Sequence, residues 1–395
     1  MSRLGDVSFS AVTAGFVAVL VGFTSSVAIV FQAAQSLGAS PAQAASWMWA
    51  LGWGMGLTTL LPSLRLKKPV MIAWSTPGAA VLAVAGAAGH FGIAEATGAF
   101  IVSALLIVLA GASGWFERVM DRIPMPLAGA LLAGVLARFG LDAFAAAQSS
   151  LALVLAMLAA YLVGRRLWPR YAVVGVLAAG VAIAAMEGTL RANAVPWSPT
   201  LPVFVAPEFS WRATVSLALP LFIVTMASQN LPGVAAIRAA GYVLPVSKII
   251  VLTGVATLLL APFGAYALNL AAITAAIAMG REAHADPARR WVAAAACGAI
   301  YCVVGTFGAS VTGLLAAFPS ELIAAVAGLA LLGTIGNGLA MALGSERHRE
   351  AALITFLVTL SGLGLFGIGS AFGGVVAGAI ALVVQQWRPR ASGSR

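Results

Sequence analysis

The chain has 395 residues, of which 61% are hydrophobic and only 9% charged, and its mean hydropathy is +1.01. That composition excludes a soluble globular protein, whose surface needs far more polar side chains. The net charge of +10 would suit a nucleic-acid partner in a soluble protein. Here the basic residues fall in short loops between apolar runs, where they set membrane topology, so no nucleic-acid partner is expected.

Residues 1–8 are not expected to carry a cleavable signal, because the apolar run that follows continues too far and reads as a true span. Fourteen membrane segments follow: 9–36, 42–64, 70–86, 95–116, 124–141, 149–167, 171–188, 211–238, 246–263, 267–280, 289–317, 320–343, 349–365 and 368–387. A continuous spanning helix needs about 20 apolar residues. Segments three (70–86) and ten (267–280) are too short for one. Cys297 and Cys302 share one apolar run without CxxC or a metal-ligand pattern, so both are expected to pack. No cofactor and no metal site is expected.

With the N-terminus placed in the cytoplasm, 19 of the 22 Lys and Arg residues fall on the inside. Only Arg138, Arg191 and Arg212 fall outside. A wrong segment count would blur this split, so it supports fourteen crossings with both termini cytoplasmic. The expected location is a bacterial-type inner membrane.

The longest polar interruption, residues 187–212, divides the chain into two halves of seven segments. An odd number makes the second half enter from the opposite side, which is an inverted repeat. The fold class is therefore an all-α polytopic membrane protein with a 7+7 repeat and two discontinuous half-helices. Two further features agree. "RIPMPLAGALLAGVLA" in segment five resembles "AFPSELIAAVAGLALLG" in its counterpart, segment twelve. The two short segments also occupy matching positions. The abundant glycines, as in "GWGMG", are expected to let helices approach closely.

Segment three, "VMIAWSTPGAAVLAVAG", contains a helix start in its middle. Ser75 and Thr76 are good N-cap types, and Pro77 suits the first helical turn, where its missing N–H is no loss. Gly78 leaves the backbone uncovered for close approach. An extended stretch is thus expected to cross half the bilayer and hand over to a half-helix near the midplane. Its free N–H groups and positive dipole end favour an anion there. Segment ten, "PFGAYALNLAAITAAIAMG", matches it: extended through Tyr266 and Leu268, with a half-helix starting near Asn269.

Segment eight carries Ser228, Gln229 and Asn230 between Pro220 and Pro232, and three consecutive polar residues cannot all face lipid cheaply. Segment one carries Thr24, Ser25, Ser26, Phe31 and Gln32. Amides can donate to a carboxylate, and Phe31 or Tyr266 can line an aromatic pocket. Interhelical hydrogen bonding is the competing role for these polar residues. No charged residue or histidine falls at an expected midplane. His90, His284 and His348 sit in loops, and Glu95, Asp142, Glu187 and Glu321 near segment ends. With no nucleophile–base pair, metal cluster or phosphate loop, an enzyme is not expected.

The strings "GFVAVLVGFTSS", "AWSTPGAA", "TMASQNLPG" and "YALNLAAITAAI" resemble the benzoate:proton symporter family, BenE, over nearly the whole chain. That family is similar to the nucleobase–ascorbate transporters and the sulfate-permease group. The resemblance implies a core domain (1–116 and 211–318), a gate domain (117–190 and 319–388), an outside linker (191–210) and a cytoplasmic tail (389–395). It also implies a substrate held between half-helices three and ten beside segments one and eight. Nucleobase relatives carry a glutamate before the segment-ten asparagine, where this chain reads Leu268-Asn269. They carry a glutamate and a histidine in segment eight, where this chain reads "MASQN". Both departures remove negative charge and favour an anion over a uracil-like base.

The expected function is proton-driven import of an aromatic carboxylate across the lipid bilayer, with a homo-oligomer possible in this fold. The expected binding residues are Thr24, Ser25, Phe31, Gln32, Ser75, Thr76, Pro77, Gly78, Ser228, Gln229, Asn230, Tyr266, Leu268 and Asn269. The alternatives are another organic anion, sulfate or bicarbonate on the same fold, or an anion channel.

Overall fold

A computed structural model describes residues 8–24, 26–88, 91–114, 125–168, 172–191, 197–281, 283–363 and 370–386. The first apolar run forms two helices, α1 (Phe9–Thr24) and α2 (Val27–Ser36). Ser26 leaves helical geometry at φ −146°, and this breaks the run. The sequence reading has one segment over 9–36, and α1 and α2 together remain long and apolar enough for one span. Helix α3 (Pro41–Leu66) starts with a capping box in which Ser40 and Gln43 satisfy each other's backbone N–H groups.

The third apolar run becomes strand β1 (Ile72–Trp74) followed by helix α4 (Thr76–Ala87). Helix α5 (Ile93–Ala112) follows, then α6 (Met125–Ala145), α7 (Leu151–Leu167) and α8 (Ala172–Met186). The next span, α9 (Trp211–Arg238), contains π-helical stretches at Thr214–Ala218 and Met226–Asn230. Each ends just before a proline, Pro220 or Pro232. A proline ring clashes with the carbonyl four residues earlier and lacks an N–H, and widening the preceding turn relieves both.

Helix α10 (Val246–Leu260) leads to strand β2 (Leu268–Leu270) and the short helix α11 (Ile273–Ala278). The remaining helices are α12 (Trp291–Thr306), α13 (Gly308–Ala317), α14 (Ser320–Leu343), α15 (Arg349–Ser361) and α16 (Ser370–Gln386). Among the described residues, six helices are long and apolar enough to cross a membrane. A seventh span arises if α12 and α13, bent by 69°, are taken together.

Strands β1 and β2 pair antiparallel, with Ile72 opposite Leu270, Ala73 opposite Asn269 and Trp74 opposite Leu268. Ser75 N–H to Ala267 O and Ala271 N–H to Met71 O, both 2.9 Å, extend the pairing at either end. A two-stranded sheet leaves two open edges, which hydrocarbon does not tolerate. Side chains close them here. Ile72 N–H donates to Thr59 Oγ1 at 3.1 Å, and Trp74 N–H to Met55 Sδ at 3.1 Å. On the other strand, Leu268 N–H donates to Thr257 Oγ1 at 3.2 Å, and Leu270 N–H to Asn230 Oδ1 at 2.9 Å.

Asn269 therefore sits in mid-strand and does not cap a helix; α11 begins at Ile273, behind Ala272. The reason is tertiary, since the partner strand already claims the backbone around Asn269. Around this centre, helices α3 and α12 meet through glycines. A Cβ on Gly52 would lie 2.8 Å from Gly305 N, and one on Gly298 2.7 Å from Gly56 O. Cys297 is buried and both cysteines are free, in keeping with a packing role.

Candidate functional site

Ser75 ends β1 and caps α4. Its Oγ accepts from Gly78 N–H at 3.1 Å and from the Thr225 hydroxyl of α9 at 3.1 Å. Pro77 and Gly78 are buried in the first turn. A Cβ on Gly78 would lie 2.5 Å from Leu221 Cδ1 and 2.8 Å from Ser75 Oγ, so only glycine lets α9 pass this close.

The polar residues expected at the site divide by whether their side chains are already used. Asn230 is fully buried; its Oδ1 holds Leu270 N–H, and its Nδ2 contacts Met226 Sδ at 3.2 Å. Asn269 is fully buried too. In the orientation that pairs donors with acceptors, its amide donates to Leu270 O at 3.0 Å and accepts from Ser75 N–H at 3.0 Å. Ser75 is equally enclosed. These three build the scaffold.

Thr76, Gln229 and Gln32 are only partly buried, and their side chains make no hydrogen bond among the described residues. Ser228 is 9% exposed and likewise makes none. These four can still offer donors to a ligand. Thr76 adjoins the cap of α4, where the helix dipole places positive potential, although Gly78 N–H is already taken by Ser75 Oγ, Ala79 N–H by Ser75 O, and Pro77 has none.

The remaining expectations fall elsewhere. Tyr266 is fully buried against Trp47 and Phe100, with ring centroids 6.0 and 6.1 Å away. Leu268 is fully buried in β2. Phe31 lines a different cavity from Gln32, one shared with Ala45 and Thr312. Ser25 and the side chain of Thr24 lie outside the described residues.

The sequence reading passed over Trp74 and named Ser26 only among the polar residues of segment one. Trp74 Nε1–H donates to Ser26 Oγ at 2.7 Å, which ties the break between α1 and α2 to the end of β1. Phe23 stacks on the same indole, with centroids 5.2 Å apart. The edge-closing Thr59 and Thr257 were also missed. Their signal was polar residues spaced four apart in apolar helices, Thr59 with Ser63 and Thr253 with Thr257.

Two cavities lie between α4 and the helices packed against it. One of ≈ 250 Å³ is walled by α4, α6 and α15. The other, ≈ 400 Å³, is bounded by α2, α4 and α6 and includes Gln32. Arg138 lines both. The sequence reading counted Arg138 with the outside loops, although its bounds for segment five, 124–141, contain it. Helix α6 instead continues to Ala145 and carries it on its flank. Among the described residues no group of three metal-ligating side chains is present.

The chain superposes over 94% of its length on the transmembrane domain of the cyanobacterial bicarbonate transporter BicA, covering 97% of that chain at TM-score 0.59 and 15% identity. It also superposes on the murine Slc26a9 anion transporter in its inward-facing state. There it covers 98% of its own length and 70% of that chain, at TM-score 0.55 and 14% identity. At such identities the likeness is one of fold, and the fold is that of a polytopic membrane transporter.

A family model described as BenE, benzoate membrane transport protein, matches residues 5–384. The chain is 50% identical over 382 residues to the inner membrane protein YdcO of Escherichia coli K12, covering 97% of both. It is 39% identical over 387 residues to the benzoate membrane transport protein of Acinetobacter baylyi, covering 98% of both. The chain belongs to the BenE family and is a multi-pass membrane transporter, not an enzyme.

Proposed function

We propose that this transporter imports benzoate or a similar aromatic carboxylate together with a proton. The observation that carries the reading is Thr76: a half-buried hydroxyl without a partner, beside a capped helix start in an apolar surround. A carboxylate placed there meets donors and the positive end of a helix, and among the described residues every acidic side chain lies toward a segment end. Gln229, Ser228 and Gln32 complete the polar end of the site. Thr24 and Ser25 precede the Ser26 that holds Trp74 and belong to the proposed site by sequence position alone. Membership of a family named for benzoate, and 39% identity to a benzoate transport protein, support the substrate class.

The proposed frame is fourteen segments in a 7+7 inverted repeat, with the two strand-to-helix units as its half-helices. A core domain of segments one to four and eight to eleven moves against a gate of five to seven and twelve to fourteen. The charge split supports cytoplasmic termini in an inner membrane.

The proton travels with the substrate. Benzoate is a carboxylic acid with acidity close to that of Asp or Glu, about 4. Partial burial raises its pKa, while the helix dipole opposes the rise. The bound acid is thus poised to take a proton from an acidic exterior without a titrating side chain. Two acids near segment ends support this by being engaged elsewhere. Glu95 accepts from Gly92 N–H at 3.4 Å and from the Ser210 hydroxyl at 3.0 Å. Glu321 accepts from the hydroxyls of Ser149 at 3.3 Å and Ser320 at 3.1 Å.

The test is uptake of labelled benzoate by proteoliposomes under an inward pH gradient, in competition with sulfate and bicarbonate. Saturable accumulation of benzoate against its gradient is expected. Uptake of sulfate or bicarbonate in its place refutes the substrate class. Flux that never exceeds equilibrium refutes coupled transport in favour of a channel.

A further inference from the structure

We infer that Arg138 is an outer docking site for the substrate carboxylate, engaged before the substrate reaches Thr76; this rests on the aromatic-carboxylate reading. Arg138 is exposed, and it is the cation that both described cavities along α4 share. Among the described residues its guanidinium has no ion pair and no hydrogen bond. A cation inside a transporter bundle is costly unless it faces water or a ligand path. A topological arginine satisfies that cost by reaching to the membrane surface. Arg138 lies at that outer end and also lines both cavities together with residues of α4, the helix that starts at Thr76.

The smaller cavity has the shape of chemistry that an aromatic acid needs. Arg138 supplies a planar fork of N–H donors that matches a carboxylate bidentately. Val81, Val84, Phe91 and Val135 supply apolar wall for a ring. Thr359 lines the same cavity, is 4% exposed and has a buried hydroxyl without a partner. Asp142, on the next turn of α6, lines the larger cavity. Its charge disfavours an anion there and leaves the smaller cavity as the place where the carboxylate settles. Val84 stands eight residues beyond Thr76 on α4, about 12 Å along the axis. A substrate released from Arg138 can therefore follow one helix to the site.

The same end of the molecule carries every wall of this cavity. The end of α4, the second half of α6, the start of α9 with Ser216, the end of α15 and the start of α16 are the parts the charge split places outside. An arginine there raises the local concentration of an anion and speeds its capture, an effect that salt weakens.

The experiment is benzoate uptake kinetics in proteoliposomes for the wild type, Arg138→Gln, Arg138→Lys and Asp142→Asn, each at low and at physiological ionic strength. Because Arg138 is exposed, the expected effect of Arg138→Gln is a rise in KM of about tenfold with the maximal rate kept. Its KM should lose the salt dependence of the wild type. Arg138→Lys keeps charge but not the fork and should fall between the two, still salt-sensitive. Asp142→Asn should lower KM. An Arg138→Gln protein with wild-type KM, or one that loses maximal rate at unchanged KM, overturns the docking site. If Arg138→Gln does not fold, the wild type and Arg138→Lys decide: a KM indifferent to salt in both overturns it. Wild-type vesicles that take up no aromatic acid at all refute the transport reading itself, whatever the variants do.

Discussion

Thr225 and Ser75 lie 150 positions apart, yet the Thr225 hydroxyl donates to Ser75 Oγ at 3.1 Å in a fully buried contact. The same oxygen caps α4 through Gly78 N–H. One side chain thus ends the strand, begins the helix and fixes α9 against both. Ser75→Ala should remove the cap, worth about 1 kcal/mol, and strand the Thr225 hydroxyl, worth about 1–3 kcal/mol more. The expected outcome is a clear fall in melting temperature, and Thr225→Val, which removes only the donor, should cost less. Equal melting of Ser75→Ala and wild type would show that the cap is replaceable.

Thr76→Val keeps the shape of the side chain and removes its donor. A hydrogen bond to a charged group is worth roughly 1.5–3 kcal/mol, so benzoate affinity should fall about 10- to 100-fold. Melting should stay near wild type, because the hydroxyl supports nothing in the fold. Calorimetric titration beside a thermal melt checks both halves. Unchanged affinity in the folded variant places the substrate elsewhere.

Asn269→Leu and Gln229→Leu should separate in kind. Asn269 is enclosed and bonded to Leu270 O and Ser75 N–H; its loss takes the side-chain donor from buried Leu270 O, while Ser75 N–H keeps Ala267 O, and lowers stability. Gln229 is partly open and unbonded, so its loss should weaken binding and spare the melt. Gln35→Leu, an amide further along α2, is the matched control and should impair transport less than either. A Gln229 variant that melts low and binds normally would reverse the assignment.

Changing Glu95, Asp142, Glu187 and Glu321 one at a time to the amide should leave uptake responsive to an inward pH gradient. Glu95→Gln should also melt lower, because it weakens the cap on α5 and the contact with Ser210. A well-folded variant that still binds and exchanges benzoate but ignores the gradient would identify that side chain as the proton carrier.

Gly78→Ala should destabilise by about 1–3 kcal/mol, the usual range for overpacking. The new methyl must displace Leu221, 2.5 Å away, or the capping oxygen of Ser75. A double variant, Gly78→Ala with Leu221→Ala, should recover part of the loss in a thermal melt. No recovery would mean that the cap, not the helix contact, is what the methyl disturbs.

The membrane class, the positions of the apolar helices and the helix start at Ser75-Thr76-Pro77 were legible because each depends on neighbours in the chain. Hydropathy over a span is a local sum. A serine followed by threonine and proline caps a helix through atoms within one turn. The run of Ser228, Gln229 and Asn230 also announced itself, since polar residues between prolines in an apolar stretch carry a cost wherever the helix goes.

What those residues do was decided only by tertiary contacts. Asn269 looks like a helix cap, but its backbone is taken by Ala73 in the facing strand. Asn230 looks like a ligand donor, but its oxygen closes a strand edge that hydrocarbon would leave bare. Tyr266 looks like a pocket wall, but it packs on Trp47 and Phe100. Arg138 read as a loop residue, but the two cavities beside α4 lie on either side of it. In each case the partner lies far away in sequence. A side chain's role follows from which buried polar group still lacks a partner once the chain has closed on itself.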